Sequence, residues 1–271
     1  MLFQASTFTY GDENPLGDYI TIASLEESGT AEVSSFAPSL TTNKSSQSVH
    51  FNHAGFRLDA PPTVTLSIMV ADSADELNQT HIRILHNWLL GRSEFKKLVI
   101  DGNSQFYYMC VFSNARLQYV GGVCRGIKVD ATFDSWYAYG VPTEAIKTVN
   151  SESTASTVNI QVDSDIMDDY IYPKVTIETT SATTVTIENV QDTDGAAFQI
   201  TDLPANIKIV IDNELKTIVD ATNGANYLAN FNKKWLRLVR SSADTSAINT
   251  LKIKGKAKVT VECPNYALIG F

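Results

Sequence analysis

The strongest constraint in this chain is a two-residue period. The stretch TVTLSIMV, residues 63–70, sets Val64, Leu66, Ile68 and Val70 on one side. LKIKGKAKVTVE, residues 251–262, sets Leu251, Ile253, Ala257, Val259 and Val261 against Lys252, Lys254, Lys256 and Lys258. Successive side chains of a strand point to opposite faces, so each run can bury one face of a sheet and leave the other wet. Runs of the same kind occur in DYITIAS (18–24), SVHFNH (48–53), KKLVIDG (96–102), QFYYMCVFSNARLQYV (105–120) and RGIKVDATFDSW (125–136). In the second half they are NIKIVIDNELKTIVD (206–220), with a turn at Asp212-Asn213, and LRLVR (236–240). The polar stretch SLTTNKSSQ (39–47) reads as an exposed arm or loop.

One segment breaks the period. ADSADELNQTHIRILHNWLLG, residues 71–91, places Leu77, His81, Ile84 and Trp88 at helical spacing, with Leu85 beside them. Ser73 and Glu76 fit a capping box, and Gly91 stands where a left-handed C-terminal residue is wanted. The pattern predicts a helix over about 74–90 whose stripe of Leu77, Ile84, Leu85 and Trp88 covers the face of a sheet.

A chain of 271 residues suits two domains. Residues 143–159, polar and poor in aromatics, read as a linker between an N-terminal domain (1–142) and a C-terminal one (160–271). The expected fold class is mainly β: two β-sandwich domains, the first with one helix packed on it. VTIE occurs at 175–178 and 185–188 with TTSATT between, which reads as a local hairpin. The Asp101-Gly102 pair reads as the turn of another, joining 96–102 to 105–120.

The formal charge of −9, negative in both halves, argues against a phosphate-gripping surface, so no specific nucleic-acid binding is expected. Three cysteines without CxxC spacing argue against a disulfide framework or a zinc site. No stretch approaches 18 apolar residues and the first residues lack a signal-peptide pattern, so neither membrane insertion nor standard secretion is expected. A nucleophile elbow, a phosphate-cradling glycine loop and HExxH are all missing from the sequence, and neither catalytic residues, a metal site nor a cofactor is expected.

Some features could still bind something. Lys252, Lys254, Lys256 and Lys258 form either a cationic stripe for an anionic partner or a solvated face that discourages edge-to-edge pairing. Trp136, Tyr137 and Tyr139, and separately Tyr227, Phe231 and Trp235, could stack on sugars or serve in cores and interfaces. Asp163, Asp165, Asp168 and Asp169 lack the glycine of a calcium loop and read as a solvated turn. His50, His53, His81 and His86 show no ligand pattern, and Glu178 with Glu188 projects from a polar face.

The order of these features carries a resemblance. A β-rich start leads to HNWLLGRSEFKKLVIDG, then to QFYYMCVFSNARLQY and VDATFDSWYAYGVP. IKIVIDNELKTIVDATNGANYLANFNKKWLRL and AINTLKIKG follow in the second half. The chain resembles the distal tail proteins of long, non-contractile-tailed bacteriophages over nearly its whole length. It departs from them in VRSSADTSAINTLKIKG, which lacks the proline-glycine turn common before that strand. The resemblance implies a structural virion protein, a hexameric ring of N-terminal domains with galectin-like C-terminal sandwiches outside. It also implies assembly in the host cytoplasm and placement at the tail tip. The implied partners are further copies of the chain, the tail tube protein, a tail-tip hub protein and receptor-binding proteins, with an opening for genome passage. A carbohydrate-binding adhesin acting on cell-wall glycan through the second sandwich, or a glycoside hydrolase using Glu178 and Glu188, are the alternatives from other classes.

Overall fold

The computed structural model describes residues 7–23, 39–43, 52–57, 61–72, 74–101, 105–166, 170–193, 195–240 and 246–268. The chain divides into two compact units, 1–138 with 268–271, and 139–267.

The first unit holds β1 (Phe8–Tyr10), β2 (Ile20–Ala23), β3 (Ser39–Asn43), β4 (Asn52–Arg57), β5 (Thr63–Val70), α1 (Gln79–Leu89), β6 (Lys96–Ile100), β7 (Phe106–Val120) and β8 (Val123–Phe133). Its main sheet is antiparallel, in the order β1-β6-β7-β8-β5-β2. The alternating runs supply one buried layer: Leu66, Ile68 and Val70 from β5, Ile127, Val129, Ala131 and Phe133 from β8, and Tyr108, Cys110 and Phe112 from β7. β6 and β7 pair as expected, Leu98 opposite Tyr108, although the turn residues 102–104 lie outside the described residues. Within the stretch 39–47, expected as an exposed arm or loop, residues 39–43 form strand β3, paired with β4 in a separate two-stranded sheet, and residues 44–47 lie outside the described residues.

β9 (Tyr137–Gly140) spans the boundary between the units. The second unit then runs through β10 (Thr143–Asp163), β11 (Tyr170–Ile171), β12 (Lys174–Thr179), β13 (Thr183–Asn189), β14 (Phe198–Leu203), β15 (Lys208–Asp212), β16 (Thr217–Asp220), β17 (Leu238–Val239) and β18 (Ser246–Cys263), and β19 (Tyr266–Leu268) spans the boundary again. Residues 143–159 are therefore not a linker. They belong to a strand of 21 residues that pairs with β18 from Thr143↔Cys263 to Asp163↔Ser246. The sequence hid this because the inward positions carry small or few apolar groups (Ala145, Val149, Ile160, Val162), and long-range pairing supplies the rest.

β10 and β18 are shared by both halves of this unit. The sheet order is β14-β13-β18-β12-β15-β16, with β10 on the other side of β18. β12 pairs with residues 257–262 of β18 and β13 with residues 251–254. The two VTIE segments thus run head to tail along β18, and the expected hairpin between them does not form. Between the two pairings sits Gly255, at φ +139°, where a side-chain carbon would meet Val185 Cγ2 at 3.0 Å. Opposite it, β10 shifts register between Ser151 and Ser156. A bulge and a glycine are the usual means of bending strands. The bend is sharp enough that the Thr143 hydroxyl donates to the Gln161 carbonyl, 18 residues along the same strand, at 2.6 Å. Val175, Ile177, Val185, Ile187, Val259 and Val261 fill the core between the two halves.

Candidate functional site

The helix comes first because the sequence made it the landmark of the first unit. It begins at Gln79, five residues later than expected. Its cap is Asn78, whose side-chain oxygen accepts the His81 amide at 2.9 Å. Ser73, the expected cap, lies outside the described residues. Glu76 stays outside the helix because the preceding backbone is taken by tertiary partners. Leu77 N–H donates to Cys124 O at 2.9 Å, Tyr19 Oη donates to Glu76 O at 2.6 Å, and the Arg125 guanidinium donates to Asp75 O. Leu77 is buried, but from the segment that precedes the helix. Leu85 and Trp88 are buried from the helix itself, and Ile84 is half-buried. The sequence stripe omitted Leu89, which is fully buried. At the other end Gly91 takes φ +73°, and Arg92 caps the last turn by donating to the carbonyls of Trp88 (3.2 Å) and Asn87 (3.3 Å).

Trp88 stacks on Phe8 with ring centroids 5.4 Å apart, beside a cleft of about 340 Å³ walled by Trp88, Phe95 and Met109. The turn Tyr10 to Glu13, with Gly11 and Asp12 both at positive φ, forms one rim, and Arg92, Lys96 and Lys97 form the other. Lys96 pairs with Glu94, and this bond holds the Glu94 carboxyl below its ordinary range. At the far end of β7, the tip of the β7–β8 hairpin exposes Tyr119 and Val120. Sequence reasoning missed both the cleft and the tip, which need tertiary structure to appear.

In the second unit the four lysines do share the outer face of β18, but the strand lies inside its sheet and not at an edge. Carboxylates from flanking strands interleave with them. Glu188 reaches Lys252 at 3.8 Å, and Glu178 pairs with Lys208 at 3.0 Å, near Lys258. Glu152, held low by the Thr183 hydroxyl and the Thr184 amide, lies near Lys256. The stripe is a mixed-charge ladder. The edge device sits on β10, where Lys147 points to the same side as buried Ala145 and Val149, beside a bulge. Glu178 and Glu188, on separate strands lying end to end, each face a lysine.

Trp136 and Tyr139 are half-buried and Tyr137 is buried; the Tyr139 and Tyr266 rings meet edge to face at 5.7 Å. Phe231 is buried against Phe198 and Trp235, at 4.9 and 4.6 Å, and Tyr227 packs on the same core. The His81 ring lies 4.8 Å from the Tyr19 ring, tilted by 60°, and His86 is exposed. His50, Asp168 and Asp169 lie outside the described residues, among which no cluster of three or more His, Cys, Asp or Glu could hold a metal. No helix among them is long and apolar enough to cross a membrane.

Two polar clusters went unread in the sequence. Asn249, fully buried, accepts Val239 N–H at 2.8 Å and Asn189 Nδ2–H at 2.8 Å and donates to Val239 O at 2.9 Å. Arg237 makes a two-pronged pair with Asp192 at 2.7 and 2.9 Å and lies 3.8 Å over the Tyr170 ring. Both pin the segment carrying β17, so their role is architectural.

Residues 3–135 match a family described as a phage tail protein N-terminal domain, and residues 137–263 match a phage tail C-terminal domain. Among solved structures, the chain is similar to the SPP1 Dit (gp 19.1) protein, described as a paradigm of the hub adsorption apparatus in phages infecting Gram-positive hosts. The identity is 13%, the TM-score 0.65, and the match covers 97% of this chain and 99% of that one. Chains of the phage P2 baseplate in its activated conformation, with Ca and with Sr, align at 10% identity and TM-score 0.47 over 86% of this chain and 88% of theirs. No curated protein sequence matches.

Proposed function

Because the chain belongs to a family of phage tail proteins, with the N-terminal domain followed by the C-terminal one, we propose that it is the structural hub at the distal end of the tail. In this reading six copies close a ring through their first domains. The ring joins the tail tube to the tail-tip and receptor-binding proteins and leaves an opening through which the genome passes. The copies assemble in the host cytoplasm, and the protein performs no catalysis.

The observation that carries the reading is end-to-end agreement of fold with SPP1 Dit, 97% of this chain on 99% of that one. A closed ring requires a heterologous contact, one surface meeting a different surface of the next copy. The acidic balance of −9 suits a passage that nucleic acid must not adhere to. The adhesin alternative draws less support, since the lysines of β18 alternate with carboxylates and Trp235 packs on Phe231.

Gold-labelled antibody against the chain, applied to intact virions, tests the placement. Label at the distal end of the tail is the expected result. Label on the capsid or spread along the tube would contradict it.

A further inference from the structure

The turn after β16 holds the only Asn-Gly pair in the sequence, Asn223-Gly224, and both residues are exposed. An asparagine followed by glycine is prone to spontaneous loss of its side-chain amide, because glycine puts no side chain beside the main-chain nitrogen that must attack. A carbon added at Gly224 would meet nothing within 4 Å, so no neighbour blocks the approach. Exposure and open space alone would let this pair react as fast as in an unfolded chain.

The hydrogen bonds of the turn oppose that. Gly224, at φ +73°, donates its N–H to Asp220 O at 2.9 Å, and Asn223 Oδ1 accepts the Ala225 N–H at 2.8 Å. The first bond holds the proton that the attacking nitrogen must lose. The second fixes the side chain whose carbon is attacked. Both lie inside a closed frame, in which Asp220 N–H donates to Ala225 O at 2.9 Å and Tyr227 N–H to Ile218 O at 3.0 Å. The Asp220 side chain, in a buried residue, accepts the Thr222 N–H at 2.7 Å. Tyr227 packs on the core of the second unit, so the frame opens only when this stretch comes away from the fold.

We propose that Asn223 is a latent modification site, unreactive while this turn is closed and deamidated when it opens. In the open turn the Gly224 nitrogen gives up its proton and bonds to Asn223 Cγ. The bond from Cγ to Nδ2 breaks, and the amide nitrogen leaves as ammonia, taking up that proton. The product is a cyclic imide, a succinimide, which water reopens at either carbonyl. Opening at Cγ leaves aspartate. Opening at the main-chain carbonyl leaves isoaspartate, whose main chain runs through the side chain and is one carbon longer. The lengthened chain no longer brings Gly224 N–H onto Asp220 O and Ala225 O onto Asp220 N–H together. A transient opening thereby becomes permanent, a chemical route to irreversible unfolding.

Incubation of the full chain at pH 8, in native buffer and in guanidinium chloride, tests it. Peptide mapping by mass spectrometry reads conversion of Asn223, and isoaspartyl methyltransferase labelling reads the isoaspartate share. Conversion at least tenfold slower in native buffer than in denaturant is expected. Gly224→Ala, whose methyl group crowds the attacking nitrogen, should slow conversion in denaturant at least tenfold. After return to native buffer, converted chains should show faster hydrogen exchange at Tyr227 than unconverted chains of the same sample, and Gly224→Ala chains taken through the same treatment should not change. Equal conversion in the two buffers overturns the protection by the turn. Absence of conversion in denaturant overturns the site itself, and unchanged exchange at Tyr227 in converted chains overturns the failure to reclose.

Discussion

The indole N–H of Trp88 donates to the backbone carbonyl of Tyr10 at 2.9 Å, tying the only α-helix among the described residues to edge strand β1. The same ring stacks on Phe8 and meets Tyr10 edge-on at 6.3 Å. One side chain thus supplies the apolar contact and the polar one that hold α1 in place. Trp88→Ala should destabilise the first domain by about 3–5 kcal/mol, with Trp88→Phe losing less because it keeps the stacking. Denaturant unfolding of the full chain, followed by the transition assigned to this domain, measures it; near-neutral stability would make the helix peripheral.

Asn249 holds the β17 segment by two hydrogen bonds to Val239, and a third ties it to Asn189 of β13. Asn249→Ala leaves both backbone groups of Val239 without that partner, and should cost about 2–4 kcal/mol in the second domain. Hydrogen exchange at Val239 should accelerate in step, and unchanged exchange there would argue that the clamp is not what orders this segment.

Gly255→Ala tests the bend. Its φ of +139° disfavours any side chain, and the added carbon would meet Val185 Cγ2 at 3.0 Å and Thr184 O at 3.2 Å. A loss of about 1–3 kcal/mol is expected. Gly224→Ala serves as the comparison: at φ +73° with open space around it, it should cost only about 1 kcal/mol. Equal losses at the two sites would mean that crowding at the bend contributes nothing.

Burial pushes the Cys263 thiol and the Tyr10 and Tyr108 phenols up to about 12, and raises the Cys110 thiol further. In the folded state these groups keep their protons where the unfolded chain has lost them. Their stabilising contribution is therefore complete below about pH 9 and is lost as pH rises toward 12. Denaturation midpoints measured from pH 7 to 11 should fall above pH 9. Thiol reagents at pH 8 should modify none of the three cysteines in the native chain and all three in denaturant.

Local pattern predicted what local physics decides. The alternation in 63–70 and 251–262 gave strands with the correct buried faces, and Gly91 ended the helix where its φ permits. Failures came where distant partners decide. Asp75, Glu76 and Leu77 carry a helical pattern, yet Arg125, Tyr19 and Cys124 take up their backbone groups, so the helix waits for Asn78. The repeated VTIE looked like a hairpin because its threonine-rich spacer resembles a turn, but β18 offers both copies a partner lying end to end. The lysines of β18, read either as a cationic stripe or as a solvated face, meet Glu152, Glu178 and Glu188, which lie far away in sequence and so left that choice open. The cleft and the hairpin tip, made by residues brought together only in the fold, had no sequence signature.

The central claim is that copies of this chain close into a ring. Negative-stain images of the purified full-length protein, averaged at high concentration, test it most directly. The account predicts sixfold rings with a central opening, each built from six chains of 29.7 kDa. Class averages showing only particles the size of a single chain would contradict it.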